Sequence, residues 1–502
     1  MQRKTRTILA LLLAAGVGGC SQGQAPGGEA DAGAPAQRMF GAIAFEPCTL
    51  AAPFGAATVE AQCGRFEVAE DPANPDGRKL SLNLAWIPAD EDAEATADVV
   101  FMLAGGPGQA ATESYPQLAP AFREVRRQRN IFLLDQRGTG DSNPLSCEFG
   151  DEMLDGSNLA GTVAATERCR DALSKQADLR FYTTTDAVRD LESVRVALGV
   201  PQLDLVGISY GTRVAQQYAM RHPDSTRALV LDSVAPNSLV LGNDFAVNLE
   251  QALDLQFARC ADDAGCVDAV GEPRAQLDAL MATLRADPPL VRYRDAATGE
   301  MKEDVLEAEA VAGLMRLYAY MPLMSSLLPL QLHEGAQGRY DGLMALSQML
   351  MENISGQMAM GMQLSVICSE DAAGLKADPA AEGTLLGNTF TEFLAAQCTV
   401  WPKGAMPADF HQPLTSDVPA LVLEGEFDPV TPPRYGEEVV QSLPNGRLFV
   451  LRGQGHNVIG AGCMPKLVAE FLDTTNAKSL DDKCLQDLAY VPPFTSFNGW
   501  EP

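Results

Sequence analysis

A serine flanked by glycines is the first feature of this 502-residue sequence that could carry chemistry. Ser209 lies in the run Gly207-Ile208-Ser209-Tyr210-Gly211, after a predicted buried strand and before a predicted helix over Thr212 to Arg221. Glycines on both sides of a serine permit the sharp strand-to-helix turn that lifts a nucleophilic oxygen above a sheet. The pattern in this context predicts that Ser209 is a nucleophile, and the alternative is an ordinary strand-to-helix turn.

A serine hydroxyl is a poor nucleophile unless a base takes its proton, and histidine is the usual base. The chain has four histidines. His222 falls where the helix after Ser209 should end, His333 lies in a helical region, and His411 lies in a loop ahead of the penultimate strand. His456 directly follows the last predicted strand. We therefore predict that His456 is the base, although a lone histidine in a loop is more often structural.

The base needs a carboxylate to orient it, and three candidates follow the strand predicted over Ala420 to Glu424. Asp428 lies furthest beyond the end of the strand, where a short side chain could reach the histidine loop, so we prefer it to Glu424 and Glu426. The chain order Ser209, Asp428, His456 is the order of the α/β-hydrolase fold.

A developing oxyanion needs preorganised amide donors. The amide of Tyr210, directly after the nucleophile, is the first predicted donor. The glycine loop Gly105-Gly106-Pro107-Gly108 follows another predicted strand, and we expect the amide of Gly106 to be the second. The alternative for this loop is a simple turn.

These residues need a scaffold, and short β-rich runs alternate with helical stretches from about residue 97. The predicted strands are Val99 to Leu103, Asn130 to Leu134, Leu203 to Gly207, Ala228 to Asp232, Ala420 to Glu424 and Arg447 to Leu451. Strands vanish between 237 and 382, where apolar residues recur at helical spacing. We predict an α/β-hydrolase fold with a mostly parallel sheet flanked by helices, formed by residues 38–236 and 383–502, and a helical cap inserted at 237–382.

Methionines concentrate in the second half of this insertion. A role in adaptable packing at a lid or substrate surface is the ordinary explanation, and a copper-binding motif is the alternative. No histidine or cysteine cluster supports the alternative, so we predict no metal site and no cofactor. The methionines are Met344, Met349, Met351, Met358, Met360 and Met362.

The first twenty residues have the pattern of an export signal, with three basic residues before a short apolar run that ends at Cys20. This ending resembles the lipobox of bacterial lipoproteins, which predicts lipidation of Cys20 and attachment to a membrane of the cell envelope, facing the periplasm. The alternative is an ordinary secretory signal. Residues 21–37 have the composition of a flexible tether.

Ten cysteines remain when Cys20 is set aside, and an even number in an exported chain indicates disulfides. None of the spacings is that of a zinc site. The short sequence gaps suggest nearest-neighbour bridges: Cys48 with Cys63, Cys147 with Cys169, Cys260 with Cys266, Cys368 with Cys398, and Cys463 with Cys484.

Composition excludes several classes of protein. The chain is 46% hydrophobic and 21% charged, which is typical of globular proteins and excludes disorder and coiled coil as global descriptions. Its formal charge is −29, from 37 basic and 66 acidic residues. A nucleic-acid partner is therefore not expected, because most of the surface would repel a polyanion.

Taken together, five motifs resemble the proline iminopeptidase and tripeptidyl aminopeptidase family of α/β-hydrolases, with a TAP-like carboxyl-terminal region. They are Gly105-Gly106-Pro107-Gly108, Asp135-Gln136-Arg137-Gly138-Thr139-Gly140-Asp141-Ser142, Gly207 to Thr212, Asp428-Pro429-Val430-Thr431-Pro432, and Gly455-His456. The resemblance implies a serine exopeptidase that acts on free peptide N-termini. Ala104 and Tyr210 replace a histidine and a tryptophan common in proline iminopeptidases, which favours the tripeptidyl aminopeptidase-like branch.

The same resemblance implies acidic side chains on the cap side that capture the substrate's ammonium group. Glu370 and Asp371 are our candidates, and a solvated acidic turn is the alternative. The predicted function is an exported serine aminopeptidase with peptide substrates. A carboxylester or small-amide hydrolase is the second hypothesis, because one triad serves both chemistries, and a noncatalytic envelope binding protein is the third.

Overall fold

The computed structural model describes residues 37–52, 57–90, 98–147, 158–295, 298–354 and 358–500, without the side chains of 350–354. The predicted export signal, Cys20 and residues 21–36 of the predicted tether lie outside the described residues. Residues 37–502 form one compact unit.

A large sheet forms the centre of this unit. Across the described residues its ten strands run in the order β1-β2-β3-β4-β6-β5-β7-β8-β11-β12. From β6 to β12 every pairing is parallel, and from β1 to β6 every pairing is antiparallel. The strands, with β9 and β10 outside this sheet, are β1 Arg38–Phe40, β2 Ile43–Ala51, β3 Thr58–Ala69, β4 Lys79–Ile87, β5 Val99–Leu103, β6 Asn130–Leu134, β7 Leu203–Ile208, β8 Thr226–Asp232, β9 Leu290–Arg294, β10 Met301–Val305, β11 Ala420–Gly425 and β12 Gly446–Leu451.

Helices cover both faces of the parallel part, so its strands are almost continuously apolar. Along β7, Leu203 and Leu205 face one apolar core while Val206 and Ile208 face the other, as the alternation of a strand requires. The α-helices are α1 Ala111–Leu118, α2 Arg123–Arg126, α3 Leu159–Leu173, α4 Thr184–Leu198, α5 Tyr210–Arg221, α6 Phe245–Ala261, α7 Ala264–Val270, α8 Pro273–Ala286, α9 Ala308–Ala319, α10 Pro322–Ser325, α11 Leu328–Ala336, α12 Asp341–Ile354, α13 Met360–Glu370, α14 Thr389–Gln397, α15 Pro433–Gln441 and α16 Met464–Thr474.

The antiparallel strands β1 to β4 were not predicted from the sequence. Strand β3 has only one buried residue, Ala61, among twelve, so its apolar and polar positions do not alternate clearly. These strands extend the sheet beyond β6, where β4 pairs with it antiparallel. They lie at the opposite end of the sheet from β11 and β12.

The inserted region is mainly helical, with its own apolar core formed by α6, α8, α9, α11 and α12. The expectation that strands vanish there is wrong, because β9 and β10 form an antiparallel hairpin. Val291 and Tyr293 of β9 point inward, whereas all five residues of β10 are exposed. A strand without a buried face has no alternating pattern for the sequence to reveal.

The carboxyl-terminal part of the predicted cap belongs to the main body instead. Helix α13 buries Met362, Leu364 and Val366 in the same apolar core as the sheet strands β5 and β7. Leu385, beyond the predicted boundary at residue 382, packs in the separate helical core, whereas α13 before that boundary packs in the main body. The two cores are therefore not divided at a single residue. An apolar helix shows the same periodicity whichever core it packs against, so the sequence could not distinguish them.

Ten cysteines form five disulfides in the nearest-neighbour connectivity. The bridge between β2 and β3 ties the antiparallel edge, and another joins the end of α13 to the end of α14. The pairs are Cys48–Cys63, Cys147–Cys169, Cys260–Cys266, Cys368–Cys398 and Cys463–Cys484. None of the helices in the part of the chain that the structure describes is long and apolar enough to cross a membrane.

Candidate active site

Ser209 occupies a sharp turn between β7 and α5. Its backbone has φ 55° and ψ −123°, a conformation that non-glycine residues rarely adopt. Such backbone strain is found where a surrounding fold holds a functional side chain in place. The residue is half-buried, and its Oγ does not cap the following helix. The hydroxyl is therefore presented at the carboxyl edge of the sheet.

The glycines around Ser209 are required by close backbone packing. A Cβ at Gly211 would overlap the carbonyl oxygen of Leu103 at the end of β5, and a Cβ at Gly207 would overlap the backbone of Gly211. The sequence pattern predicts that both glycines serve the sharpness of the turn. The structure shows that they let α5 approach the ends of β5 and β7, which brings the turn beside the loop after β5.

Asp428 and His456 form a pair beyond the ends of β11 and β12. The distance from Asp428 Oδ2 to His456 Nδ1 is 2.8 Å. The amides of Val430 and Thr431 each donate to Asp428 Oδ1 at 2.8 Å, and the carboxylate is buried. This contact orients the imidazole with Nδ1 toward the carboxylate, as a serine-activating histidine requires.

Thr431 is a member of this cluster that the sequence analysis did not single out. Its hydroxyl donates to Asp428 Oδ2 at 3.0 Å and lies 3.3 Å from His456 Nδ1. A hydroxyl three residues after an aspartate can turn back onto that carboxylate, which is the signal that could have revealed it. Thr431 thus satisfies the carboxylate oxygen that also faces the histidine.

Asp232, at the end of β8, holds the loop that carries His456. Its buried carboxylate accepts from the amides of Val458, at 2.9 and 3.1 Å, and Ile459, at 3.0 Å. The next residue, Ser233, accepts from the amide of Asn457 through its Oγ at 2.7 Å. Two consecutive side chains therefore fix the three residues that follow the histidine.

The charge of Asp232 also acts on the imidazole. Burial lowers the pKa of His456, but the charge and hydrogen bond of Asp428, together with the charge of Asp232, outweigh burial and raise it. Burial raises the pKa of Asp232 itself to about 6. Asp232 is thus a positioning residue with an electrostatic effect on the candidate base.

We expect Asp232→Asn to move the acidic limb of the kcat/KM profile to lower pH. A base must be neutral to accept a proton, and removing a nearby negative charge makes protonation of His456 less favourable. The amide side chain also has one acceptor oxygen for the loop amides, so kcat/KM at the optimum should fall by up to about 10²-fold through misplacement of the imidazole. The measurement is kcat/KM against pH.

Ser233→Ala is the matched control, because it releases the amide of Asn457 without changing charge. It should lower the plateau of the profile and leave the position of its acidic limb in place. An acidic limb that Asp232→Asn does not move would show that Asp232 has no electrostatic effect on the base.

The serine and the histidine are not hydrogen-bonded to each other within the described residues. The structure does bring the glycine loop against the nucleophile, because a Cβ at Gly105 would lie 3.1 Å from Ser209 Cβ. Contacts between a nucleophile and its base are often long in an enzyme without substrate. The Asp428–His456 pair is formed in the structure without substrate.

The predicted oxyanion donors belong to the two segments next to Ser209, the start of α5 and the glycine loop after β5. Tyr210 is the first residue of α5, and amides in a first helical turn have no acceptor within the helix. Gly106 has φ 109° in the loop after β5, where a Cβ would lie 3.0 Å from Met358 Sδ.

Of the methionine-rich stretch, Met344 and Met362 are buried, and Met358 packs on the glycine loop.

The competing carboxylates have other contacts. Glu424 accepts from the amide of Val234 at 3.2 Å and is fully buried, so burial and then the charge of Asp428 raise its pKa well above its ordinary value. Glu426 accepts from the amide of Gly453 at 2.7 Å and from the hydroxyl of Tyr490 at 3.2 Å.

The competing histidines also lie elsewhere. His222 follows the last residue of α5. His333 contacts the carbonyl of Val270 at 3.0 Å through Nδ1. His411 contacts the carbonyl oxygens of Asn237 at 2.8 Å and Glu370 at 2.9 Å, so both of its ring nitrogens are used.

The structure contradicts the prediction that Glu370 and Asp371 bind the substrate's amine. The amide and hydroxyl of Thr184 donate to the two oxygens of Glu370 at 2.6 and 2.8 Å. Asp371 Oδ2 lies 3.0 Å from Arg213 Nη1, and both of these side chains are fully buried. Both carboxylates are enclosed in the core, where Glu370 accepts from Thr184 and Asp371 pairs with Arg213, so neither is exposed to a ligand. Their adjacency in sequence gave no sign of these partners.

The parallel sheet, the strained serine turn and the Asp–His pair at its carboxyl edge define an α/β-hydrolase fold. Residues 98–263 match the family model of the alpha/beta hydrolase fold. Residues 384–484 match the model of the TAP-like protein family. The resemblance predicted from the motifs is confirmed.

Three curated relatives carry peptidase names. Serine protease Hip1 of Mycobacterium tuberculosis is 25% identical over 86% of this chain and 88% of its own length. Tripeptidyl aminopeptidase of Streptomyces lividans is 27% identical over 45% of each chain. Proline iminopeptidase of Xylella fastidiosa is 31% identical over 27% of this chain and 32% of its own. The chain is a hydrolase with serine-peptidase-like relatives.

Proposed function

We propose that this chain is an exported serine aminopeptidase that releases short peptides or single residues from free N-termini. The observation that carries the catalytic part is the buried Asp428–His456 pair at the same sheet edge as the strained Ser209 turn. The names of the relatives support peptides as the substrate class.

The proposed reaction begins when Ser209 Oγ attacks the scissile carbonyl carbon. His456 Nε2 accepts the hydroxyl proton, and Asp428 stabilises the resulting imidazolium through the 2.8 Å contact at Nδ1. The carbonyl oxygen becomes an oxyanion, for which the amides of Tyr210 and Gly106 are the proposed donors.

Collapse of the tetrahedral intermediate breaks the peptide bond, and the imidazolium returns its proton to the leaving amine. The acyl group remains on Ser209 as an ester. His456 then takes a proton from water, which attacks the ester carbonyl. Breakdown of the second tetrahedral intermediate releases the acyl product, and the imidazolium returns the proton to Ser209 Oγ. Asp232 keeps the imidazole loop in place through both halves of the cycle.

Two observations support export. The first twenty residues have the pattern of a signal, with Cys20 in the position of a lipid-modified cysteine, so we propose a lipid anchor in the cell envelope and a catalytic domain facing the periplasm. The ten remaining cysteines are all paired, and disulfides persist in oxidising compartments such as the periplasm.

Hydrolysis of carboxylesters or small amides is the second candidate, and one observation favours it. The two acidic residues predicted to anchor an amine are enclosed in the core, so they cannot supply recognition of a free N-terminus. The Asp–His pair and serine turn argue against the third candidate, a noncatalytic binding protein, because a strained backbone without function has a cost in stability.

The deciding experiment measures kcat/KM for peptide p-nitroanilides in two forms. One form has a free N-terminal amine, and the other is N-acetylated. An aminopeptidase should prefer the free amine by about 10²-fold or more in kcat/KM, because an acetyl group removes the charge that such a site recognises. Ser209→Ala, purified identically, controls for contaminating peptidases. Equal or better turnover of the acetylated form, or turnover of simple esters alone, would reject the aminopeptidase and favour the second candidate.

A further inference from the structure

Arg316 lies on the part of the helical region that touches the candidate base. It belongs to α9, one helical turn before Tyr320, and residues four apart share a face of a helix. The carbonyl oxygen of Tyr320 accepts from the amide of His456 at 2.9 Å, and the Tyr320 ring meets the imidazole edge-on with centroids 5.0 Å apart. Arg316 is thus on the helix face that leads to His456.

Electrostatic effects agree with this placement. Burial raises the pKa of Tyr320, and the charge of Arg316 opposes that rise. The same charge opposes the rise in the pKa of His456 that Asp428 and Asp232 produce. Both directions are consistent with a guanidinium on the helix face that leads to His456.

Two phenylalanines hold the guanidinium. The central carbon of Arg316 lies 5.3 Å from the ring centroid of Phe245 and 5.3 Å from that of Phe390. The two rings are themselves 5.4 Å apart, and one comes from α6 and the other from α14. Contacts between a guanidinium and ring faces orient the group and leave its N–H edge for a planar acceptor.

No carboxylate within the described residues pairs with Arg316, and no described residue accepts a hydrogen bond from it. Some arginines of the helical region pair with carboxylates, namely Arg274 with Glu250 at 2.7 Å and Arg339 with Glu334. Acidic residues outnumber basic ones by 66 to 37 in this chain, so a partner would be easy to provide. The N–H groups of this half-buried guanidinium can therefore donate to an anion that binds beside it.

We propose that Arg316 forms a carboxylate-binding subsite, which selects substrates with a negative charge near the bond that Ser209 attacks. This proposal rests on the proposed hydrolase function and specifies its substrate class. The carboxylate has two possible sources, an acidic side chain beside the scissile bond or the free C-terminus of a short peptide. A substrate ammonium group would bind away from Arg316, because like charges repel.

The test uses two matched pairs of peptides that differ only in one negative charge. One pair has Glu or Gln beside the scissile bond, and the other has a free or amidated C-terminus. The readout is the ratio of kcat/KM for the charged and the neutral member of each pair. The enzyme should give a ratio of about 10 or more for one pair, the scale of a charge-assisted hydrogen bond, and that pair identifies the source.

Arg316→Gln should bring this ratio close to one, and Arg316→Lys should retain part of it, because it keeps the charge without the planar fork. Arg339→Gln is the matched control from the same helical region, and its ratio should equal that of the parent. A parent ratio near one for both pairs, or a ratio that Arg316→Gln preserves, would overturn the subsite.

An ester pair separates failure of the subsite from failure of the proposed peptidase. The p-nitrophenyl monoester of succinic acid carries a carboxylate that the butyrate ester lacks. If no peptide is cleaved but the enzyme prefers the succinate ester in an Arg316-dependent way, the subsite stands and the peptidase proposal fails. If peptides are cleaved but the charged and neutral members of each pair have equal kcat/KM, the peptidase proposal stands and the subsite fails.

Discussion

Replacement of Ser209 by alanine should lower kcat by about 10⁴ to 10⁶-fold and leave the fold intact, since loss of a nucleophile has effects of this size in serine hydrolases. The hydroxyl is half-buried and does not cap α5, so its removal deletes little packing. Steady-state kinetics with an activated ester measures the loss. The free energy of unfolding from urea titration should change by no more than about 0.5 kcal/mol.

Ser193→Ala, on α4, is the control for the loss of a serine hydroxyl outside the site, and its kinetics should match those of the parent. A Ser209→Ala protein that keeps more than a tenth of the parental kcat would assign the nucleophile to another residue. A variant that fails to fold would show that the turn depends on the hydroxyl for structure.

The largest expected effect on stability comes from Asp371→Asn. The substitution removes the charge that faces Arg213 at 3.0 Å and leaves a fully buried guanidinium without a counterion. Breaking a buried ion pair from one side typically costs about 3 to 5 kcal/mol. Urea unfolding with disulfides intact should show this loss, and kcat/KM for free-amine peptides at a temperature where the variant is folded should change little.

The double variant Arg213→Met with Asp371→Leu should recover much of the lost free energy of unfolding, because it removes both buried charges. Lys483→Met tests an exposed pair, since Lys483 and Asp481 are both largely exposed, and it should have a negligible effect on the same measurement. A loss of kcat/KM confined to free-amine substrates, without loss of stability, would instead restore Asp371 as an amine anchor.

The parallel half of the fold could be predicted because each strand is a short apolar run that ends in a glycine-rich or acidic turn. The chain order of Ser209, Asp428 and His456 follows from the same runs, since each residue lies in the turn or loop after a strand. Strands β3 and β10 could not be predicted, because their exposure patterns lack a clean period of two. An alternating sequence pattern reveals a strand only when one of its faces is buried and the other is exposed.

The contact partners of individual side chains could not be predicted from the sequence for a different reason. Glu370 and Asp371 look like a free acidic pair, but Thr184 and Arg213 lie 186 and 158 residues before their respective partners. Asp232 likewise accepts from the amide of Val458 in the loop of His456, although more than two hundred residues separate them. Contacts of this kind depend on tertiary packing, and no local pattern encodes them.

The most direct test of the catalytic assignment is the site of labelling by a fluorophosphonate, which reacts with activated serine nucleophiles. Peptide mapping by mass spectrometry should place one label on Ser209 of the parent. His456→Ala should be labelled at a rate lower by orders of magnitude, because the base that activates the serine is gone. A label on a different residue, or labelling of His456→Ala at the parental rate, would contradict the proposed Ser209, Asp428 and His456 site.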